Sequence, residues 1–151
     1  MSKGGLIILK LSELFNRIKA LDKDLKDIIK DSQIDDYEDL SGLDIDLDDP
    51  EDRFLWRELR KMMSHVDDLH KEIRYLSYPV EGEAFMRKND RGRYESMYQE
   101  YKAGYPIEFR YYDESSDRYE WILSTLEHNG KDYYIVGYPD VELEDLKVRI
   151  R

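Results

Sequence analysis

The sequence predicts an α+β protein: an N-terminal antiparallel helical hairpin followed by a small SH3-like β-barrel. Three observations carry that reading. Apolar residues recur every three or four positions as far as Leu76, the repeat of an amphipathic helix. After Pro79 the period changes to short β-forming runs separated by turn residues. Of the 13 tyrosines, 11 lie between Tyr78 and Tyr138. The 151 residues therefore divide into a helical part, 1–78, and a β module, 79–151.

The first helix is expected from Leu11, with Leu14, Phe15, Ile18, Leu21, Leu25, Ile28 and Ile29 on one face. Glu13 with Arg17, and Asp22 with Lys26, are favourable i,i+4 pairs on its outer side. An acidic connection follows over about 32–52. The second helix reads Leu55, Leu59, Met62, Val66, Leu69, Ile73 and Leu76, close to a heptad repeat. Its start is marked by Asp49 as N-cap, Pro50 at the first helical position, and Glu51 and Asp52 in the first turn. It should stop near Tyr78-Pro79, since the residue before a proline is driven out of the helical region. Two such stripes can bury each other as a hairpin.

In the β module, strands are expected near 83–88, 93–98, 106–112, 118–126, 131–137 and 147–150. Asn89-Asp90-Arg91-Gly92 and Asn129-Gly130 are turn sequences, because asparagine and glycine tolerate positive φ. Asp113 to Asp117 forms a polar loop, and Leu143 to Leu146 a short turn. Several short strands in so few residues point to a strongly bent barrel, with the tyrosines in its core and rim.

Charge is distributed unevenly. The formal charge is −11, and residues 22–52 alone hold 14 acidic and 3 basic side chains, while the rest balances at 21 of each. The balance argues against a protein that coats nucleic acid or an anionic membrane. With no cysteine, disulfides, thiolate metal sites and cysteine nucleophiles are excluded. Near the N-terminus only Leu6 to Leu9 is continuously apolar, too short for a signal peptide or a span, so a cytoplasmic location is expected.

Catalytic and metal signatures are missing. His65, Asp67, Asp68 and His70 lie on one helix, but histidines five apart diverge by roughly 140° at 100° per residue. A calcium loop fails in both registers, with Tyr37 or Leu55 where a carboxylate belongs. No nucleophile elbow, phosphate-binding loop or dinucleotide fingerprint occurs. The reading is of a non-enzyme with no cofactor and no metal.

Two clusters remain as candidate binding sites. The first is acidic: Asp35, Asp36, Glu38, Asp39, Asp44, Asp46, Asp48 and Asp49. In extended chain, Asp44, Asp46 and Asp48 would repeat about every 6.7 Å on one side. That is near every second phosphate of a DNA strand, spaced about 3.4 Å, so the row would fit a basic, nucleic-acid-binding surface. The alternating Leu43, Ile45 and Leu47 suggest that this segment packs. The second cluster is Arg87, Lys88, Arg91 and Arg93 with Tyr94 and Tyr98, which could touch phosphates and stack on bases. Against it, direct nucleic-acid binding suits a net-acidic module poorly.

The β module also carries a resemblance. Asp90-Arg91-Gly92-Arg93-Tyr94-Glu95, Gly104-Tyr105-Pro106-Ile107-Glu108-Phe109, Leu126 to Tyr134 and Leu146 to Arg151 resemble an uncharacterised family of small proteins encoded on bacterial mobile elements, including phages and plasmids. The likeness spans roughly 82–151 and transfers no catalytic residue. It implies a protein that acts by binding: an inhibitor or modulator of a host nucleic-acid-handling system, with anti-CRISPR or similar anti-defence action as its sharpest form. Its expected partner is a protein with a basic surface, and no membrane. A nucleic-acid-associated regulatory module and a helical oligomerisation or scaffold protein are the two alternatives.

Overall fold

The computed structural model describes residues 8–32 and 43–151. The chain separates into two compact units, Met1–Tyr78 and Pro79–Arg151.

The first unit is a bent helical hairpin. Its first arm is α1 (Leu11–Ala20) followed directly by α2 (Asp22–Ser32). The single expected helix is interrupted at Leu21, whose N–H bonds to the carbonyl of Ile18, three residues back, at 3.0 Å. Leu25 N–H then bonds to Leu21 O at 3.0 Å and the α pattern resumes. The tight turn bends the arm without disturbing the spacing of the apolar residues. The returning arm is α3 (Pro50–Ser77). Asp49 is its N-cap, accepting from Glu51 N–H at 3.0 Å, with Pro50 behind it, as the sequence predicts. Tyr78 leaves the helical region at ψ 137° ahead of Pro79. Trp56, Met63 and Ile73 of α3 are buried. Between the arms, His70 Nδ1 of α3 lies 2.6 Å from Asp22 Oδ1 of α2.

The second unit holds seven strands: β1 (Gly82–Phe85), β2 (Arg87–Lys88), β3 (Tyr94–Glu95), β4 (Pro106–Asp113), β5 (Arg118–His128), β6 (Tyr133–Ile135) and β7 (Lys147–Ile150). Five form one antiparallel sheet in the order β1-β7-β4-β5-β6, and β2 and β3 form a separate hairpin. One face of the sheet carries Ile107, Phe109, Leu126, Ile135, Val148 and Ile150, all buried. Met86, Tyr94, Tyr101 and Leu143 close over them, and Tyr111, Tyr133 and Tyr138 pack against the cluster from its margin. The tyrosines thus divide between core and surface.

The SH3-like barrel is corrected by this topology: the sheet does not close. Closure requires β6 to pair with β1, and each leaves the sheet early. At Met86, which is fully buried, the chain turns from β1 into the β2–β3 hairpin. Its N–H still bonds to Leu146 O at 2.9 Å, so one predicted strand becomes two, serving different sheets. At the other edge β6 has three residues before Tyr138 N–H turns back onto Ile135 O at 2.9 Å, with Gly137 at φ +80°. A three-residue edge offers too little backbone for a closing ladder.

Candidate functional site

The acidic candidate is only partly placed. Asp35, Asp36, Glu38 and Asp39 lie outside the described residues. Asp44, Asp46 and Asp48 are exposed at the start of α3. They do not form the extended row that the alternation suggests. Asp49 N–H bonds to Asp46 O at 3.1 Å, making a turn at Leu47-Asp48. Asp46 stabilises that turn on both sides: its Oδ1 accepts from Asp48 N–H at 3.0 Å, and its own N–H donates to Asp52 Oδ2 at 2.9 Å. Asp46 and Asp49 therefore organise the backbone, while Asp44 and Asp48 present their charge to solvent.

Beside these carboxylates is a cleft of about 180 Å³ lined by Leu43, Ile45, Leu55, Trp56 and Leu59, with Asp44 and Asp52 at its walls. Leu43 and Ile45 are partly buried, and Leu47 is exposed. The segment packs through the first two apolar residues of its alternation, because the turn carries the third away. An apolar floor with an acidic wall is the chemistry that receives an apolar side chain flanked by basic ones.

The basic hairpin candidate is brought together and neutralised. Asn89 Oδ1 accepts from the backbone N–H groups of Arg91 and Arg93 at 3.0 and 3.1 Å, holding the turn whose left-handed position is Gly92, φ +73°. Arg91 and Arg93 then converge on one carboxylate, Glu100, which pairs with both and accepts from Asn89 Nδ2 at 2.8 Å. The hydrogen bond from Arg93, with those from Asn89 and the charge of Arg91, holds Glu100 below the usual carboxylate range. Arg87 pairs with Asp145 at 3.3 Å and Lys88 with Asp132 at 3.4 Å. Tyr94 is a core residue, packed edge-on against Tyr133, so its ring is not at the surface for stacking. Tyr98 is exposed and its hydroxyl lies over Gly82, where a β-carbon would stand 2.1 Å away.

Glu100 was not among the expected residues. Its signal was weak: one carboxylate seven residues beyond Arg93, in a chain rich in acids. A second unexpected cluster covers the sheet face opposite the core. Arg110 of β4 lies 5.1 Å from the Tyr119 ring and 5.7 Å from that of Trp121 on β5, and Arg149 of β7 lies 4.7 Å from Trp121. Glu108, also on that face, is 2% exposed and pairs with Arg149 and Arg151. Arg110 makes no ion pair among the described residues. Period-two alternation, with Arg110 and Tyr112 set against Tyr119, Trp121 and Leu123, was the available clue.

The histidine cluster disperses. His70 contacts Asp22, and Asp67 pairs with Lys71 at 2.6 Å. Among the described residues, no group of three or more His, Asp or Glu could hold a metal ion, and no helix is long and apolar enough to cross a membrane. His128, at the end of β5, caps its own turn by accepting from Gly130 N–H at 3.0 Å.

No curated protein and no solved structure matches the chain. The match to a family neither mentions mobile elements nor describes an SH3-like module, and it leaves the helical unit out: a domain of unknown function, DUF5348, is found at residues 84–150.

Proposed function

We propose that this chain is a non-enzymatic binding protein whose acidic N-terminal segment docks onto the basic, nucleic-acid-binding surface of another protein. The observation that supports this reading is the exposed Asp44 on the apolar cleft of Leu43, Ile45, Leu55, Trp56 and Leu59, with exposed Asp48 four residues further along the chain. Charge draws in a basic partner and the cleft gives it a place to anchor. By occupying a surface that otherwise holds phosphates, the chain would inhibit or modulate a host nucleic-acid-handling system. Anti-CRISPR or other anti-defence action is the sharpest form of that reading. It rests on the resemblance to mobile-element proteins together with the local charge of residues 22–52. Direct nucleic-acid contact by the β2–β3 hairpin is the less favoured reading, since each of its four cations has a carboxylate partner.

The test compares the chain with the variant Asp44→Asn, Asp46→Asn, Asp48→Asn. Asparagine keeps the acceptor that Asp48 N–H needs, so the turn before α3 is preserved. Both proteins are immobilised and offered a host fraction of heparin-binding proteins. The expected result is retention that falls with salt, is displaced by added DNA, and is lost in the variant. Equal retention by the variant removes the acidic segment from the mechanism.

A further inference from the structure

The end of β4 and the turn that follows β6 enclose a cleft of about 410 Å³. Its walls combine rings with carboxylates: Tyr111, Tyr112 and Tyr138, with Asp113, Glu114 and Asp140. No lysine or arginine is among the residues that line it. The cleft lies wholly within the β unit and shares no residue with the acidic start of α3.

The fold holds the rings in place. Tyr111 and Tyr138 meet with their centroids 5.1 Å apart and their planes at 67°. Phe109, in the core, braces both edge-on, at 6.2 Å from Tyr111 and 5.3 Å from Tyr138. The turn after β6 sets Tyr138 there: its N–H bonds to Ile135 O, and its carbonyl accepts from Val141 N–H at 3.2 Å. Tyr112, the third ring, is tied through its hydroxyl to Asp117.

The carboxylates differ in how they are occupied. Asp113 accepts from the N–H and Oγ–H of Ser115 at 3.0 and 2.7 Å, and from Ser116 Oγ–H at 2.8 Å. These bonds, those from Ser115 first, hold it below the usual carboxylate range. Glu114 and Asp140 are exposed and form no ion pair among the described residues. Arg118 stands opposite Asp113 in the ladder, yet it is exposed and forms no ion pair among the described residues either.

We propose that this cleft receives an arginine side chain carried on a segment of a partner protein. A cation is the ligand that these walls complement, since tyrosine faces and carboxylates both attract positive charge. Arginine suits them better than lysine. Its planar guanidinium stacks on a ring and its five donors serve more than one carboxylate, whereas an ammonium is a compact, strongly hydrated charge. The β unit makes the same kind of contact internally, with Arg110 5.1 Å from the Tyr119 ring and Arg149 4.7 Å from that of Trp121. The volume falls within the roughly 300–1,000 Å³ of small-ligand clefts, enough for the side chain and part of its backbone.

Nuclear magnetic resonance titration of the full, isotope-labelled chain with acetyl-arginine methylamide tests the proposal. The lysine, trimethyl-lysine and citrulline forms of the same compound are titrated in parallel, citrulline keeping the shape of arginine without its charge. The expected result is saturable shifts at Tyr112, Glu114, Gly137, Tyr138 and Asp140, with a Kd of about 1–10 mM. Lysine should bind at least about threefold more weakly, and citrulline should leave these signals unmoved. The double variant Glu114→Gln, Asp140→Asn changes two exposed side chains and should raise the Kd about tenfold. Equal shifts with citrulline, an unchanged Kd in the double variant, or tighter binding of trimethyl-lysine than of arginine each overturn the proposal. Arginine shifts confined to residues 44–52 overturn it too, because they locate the cation at the start of α3 instead.

Discussion

Glu108 of β4 stands directly opposite Arg149 of β7, and the two are ion-paired although Glu108 is 2% exposed. A carboxylate so thoroughly desolvated persists only when its oxygens are occupied, and Arg151 takes the second. The pair therefore joins two central strands at a point where an unpaired charge would be costly. Replacing Glu108 with alanine leaves two partly buried guanidinium groups without their carboxylate. The expected loss is roughly 3 kcal/mol of unfolding free energy, with a smaller loss for Glu108→Gln. Urea titration followed by Trp121 fluorescence in a Trp56→Phe background checks this, and an unchanged midpoint for Glu108→Ala would show that the pair contributes nothing.

The start of α3 is a local device and should behave as one. Asp49→Ala removes the side chain that accepts from Glu51 N–H, and the expected cost is about 1 kcal/mol. Asp49→Asn should cost only a few tenths, since the acceptor remains. Thermal melts of both variants by far-ultraviolet circular dichroism give the comparison. Equal losses would mean that charge, not capping, is what the position supplies.

These two sites show what the sequence could and could not reveal. Asp49-Pro50-Glu51-Asp52 is a helix start written in four neighbouring residues, and the structure places the helix there. The strand positions were similarly legible, because alternation and turn chemistry act over a few residues. Glu108 was not. Its partners lie 41 and 43 residues away, and it sits in a run that otherwise reads as a half-exposed strand. Barrel closure failed for the same reason. Whether β6 meets β1 depends on where Met86 and Gly137 send the chain, and neither residue announces that in its local pattern. The convergence of Arg91 and Arg93 on Glu100 likewise appears only once the hairpin has folded.

Tyr101 should make the β unit lose stability at alkaline pH. Its hydroxyl is buried without a hydrogen-bond partner, and burial pushes its pKa above the ordinary tyrosine value, with Ser96 and Gln99 pulling weakly the other way. The neutral phenol is therefore favoured in the folded state. Its stabilising contribution is whole below about pH 10, where unfolded tyrosines titrate, and is lost as the pH rises above that. Tyr101→Phe should match or exceed the parent at pH 7, by up to about 1 kcal/mol, because no bond is lost. It should also lose less stability between pH 8 and 11. Tyr94, whose pKa burial also raises, adds to the residual slope. Identical pH dependence in the variant would exclude Tyr101 as the cause.

Glu100 controls whether the β2–β3 hairpin is seen as basic. With its carboxylate in place, Arg91 and Arg93 are both paired, and the hairpin offers phosphates little. Glu100→Gln keeps the shape and an acceptor for Asn89 but removes the charge that binds the two arginines. The expected result is measurable binding of single-stranded DNA at low salt, about tenfold tighter than the parent, with a log-log salt slope steeper by one to two. Acid provides a second route to the same state. Because Glu100 titrates below the usual carboxylate range, the pairing outlasts the pH at which ordinary carboxylates protonate and is lost only as the pH falls through that depressed value. Fluorescence anisotropy with a labelled oligonucleotide measures the first effect, and proton chemical shifts of the Arg91 and Arg93 side chains follow the second. If Glu100→Gln binds DNA no better than the parent, paired arginines are not what keeps this hairpin from nucleic acid, and the hairpin is structural alone.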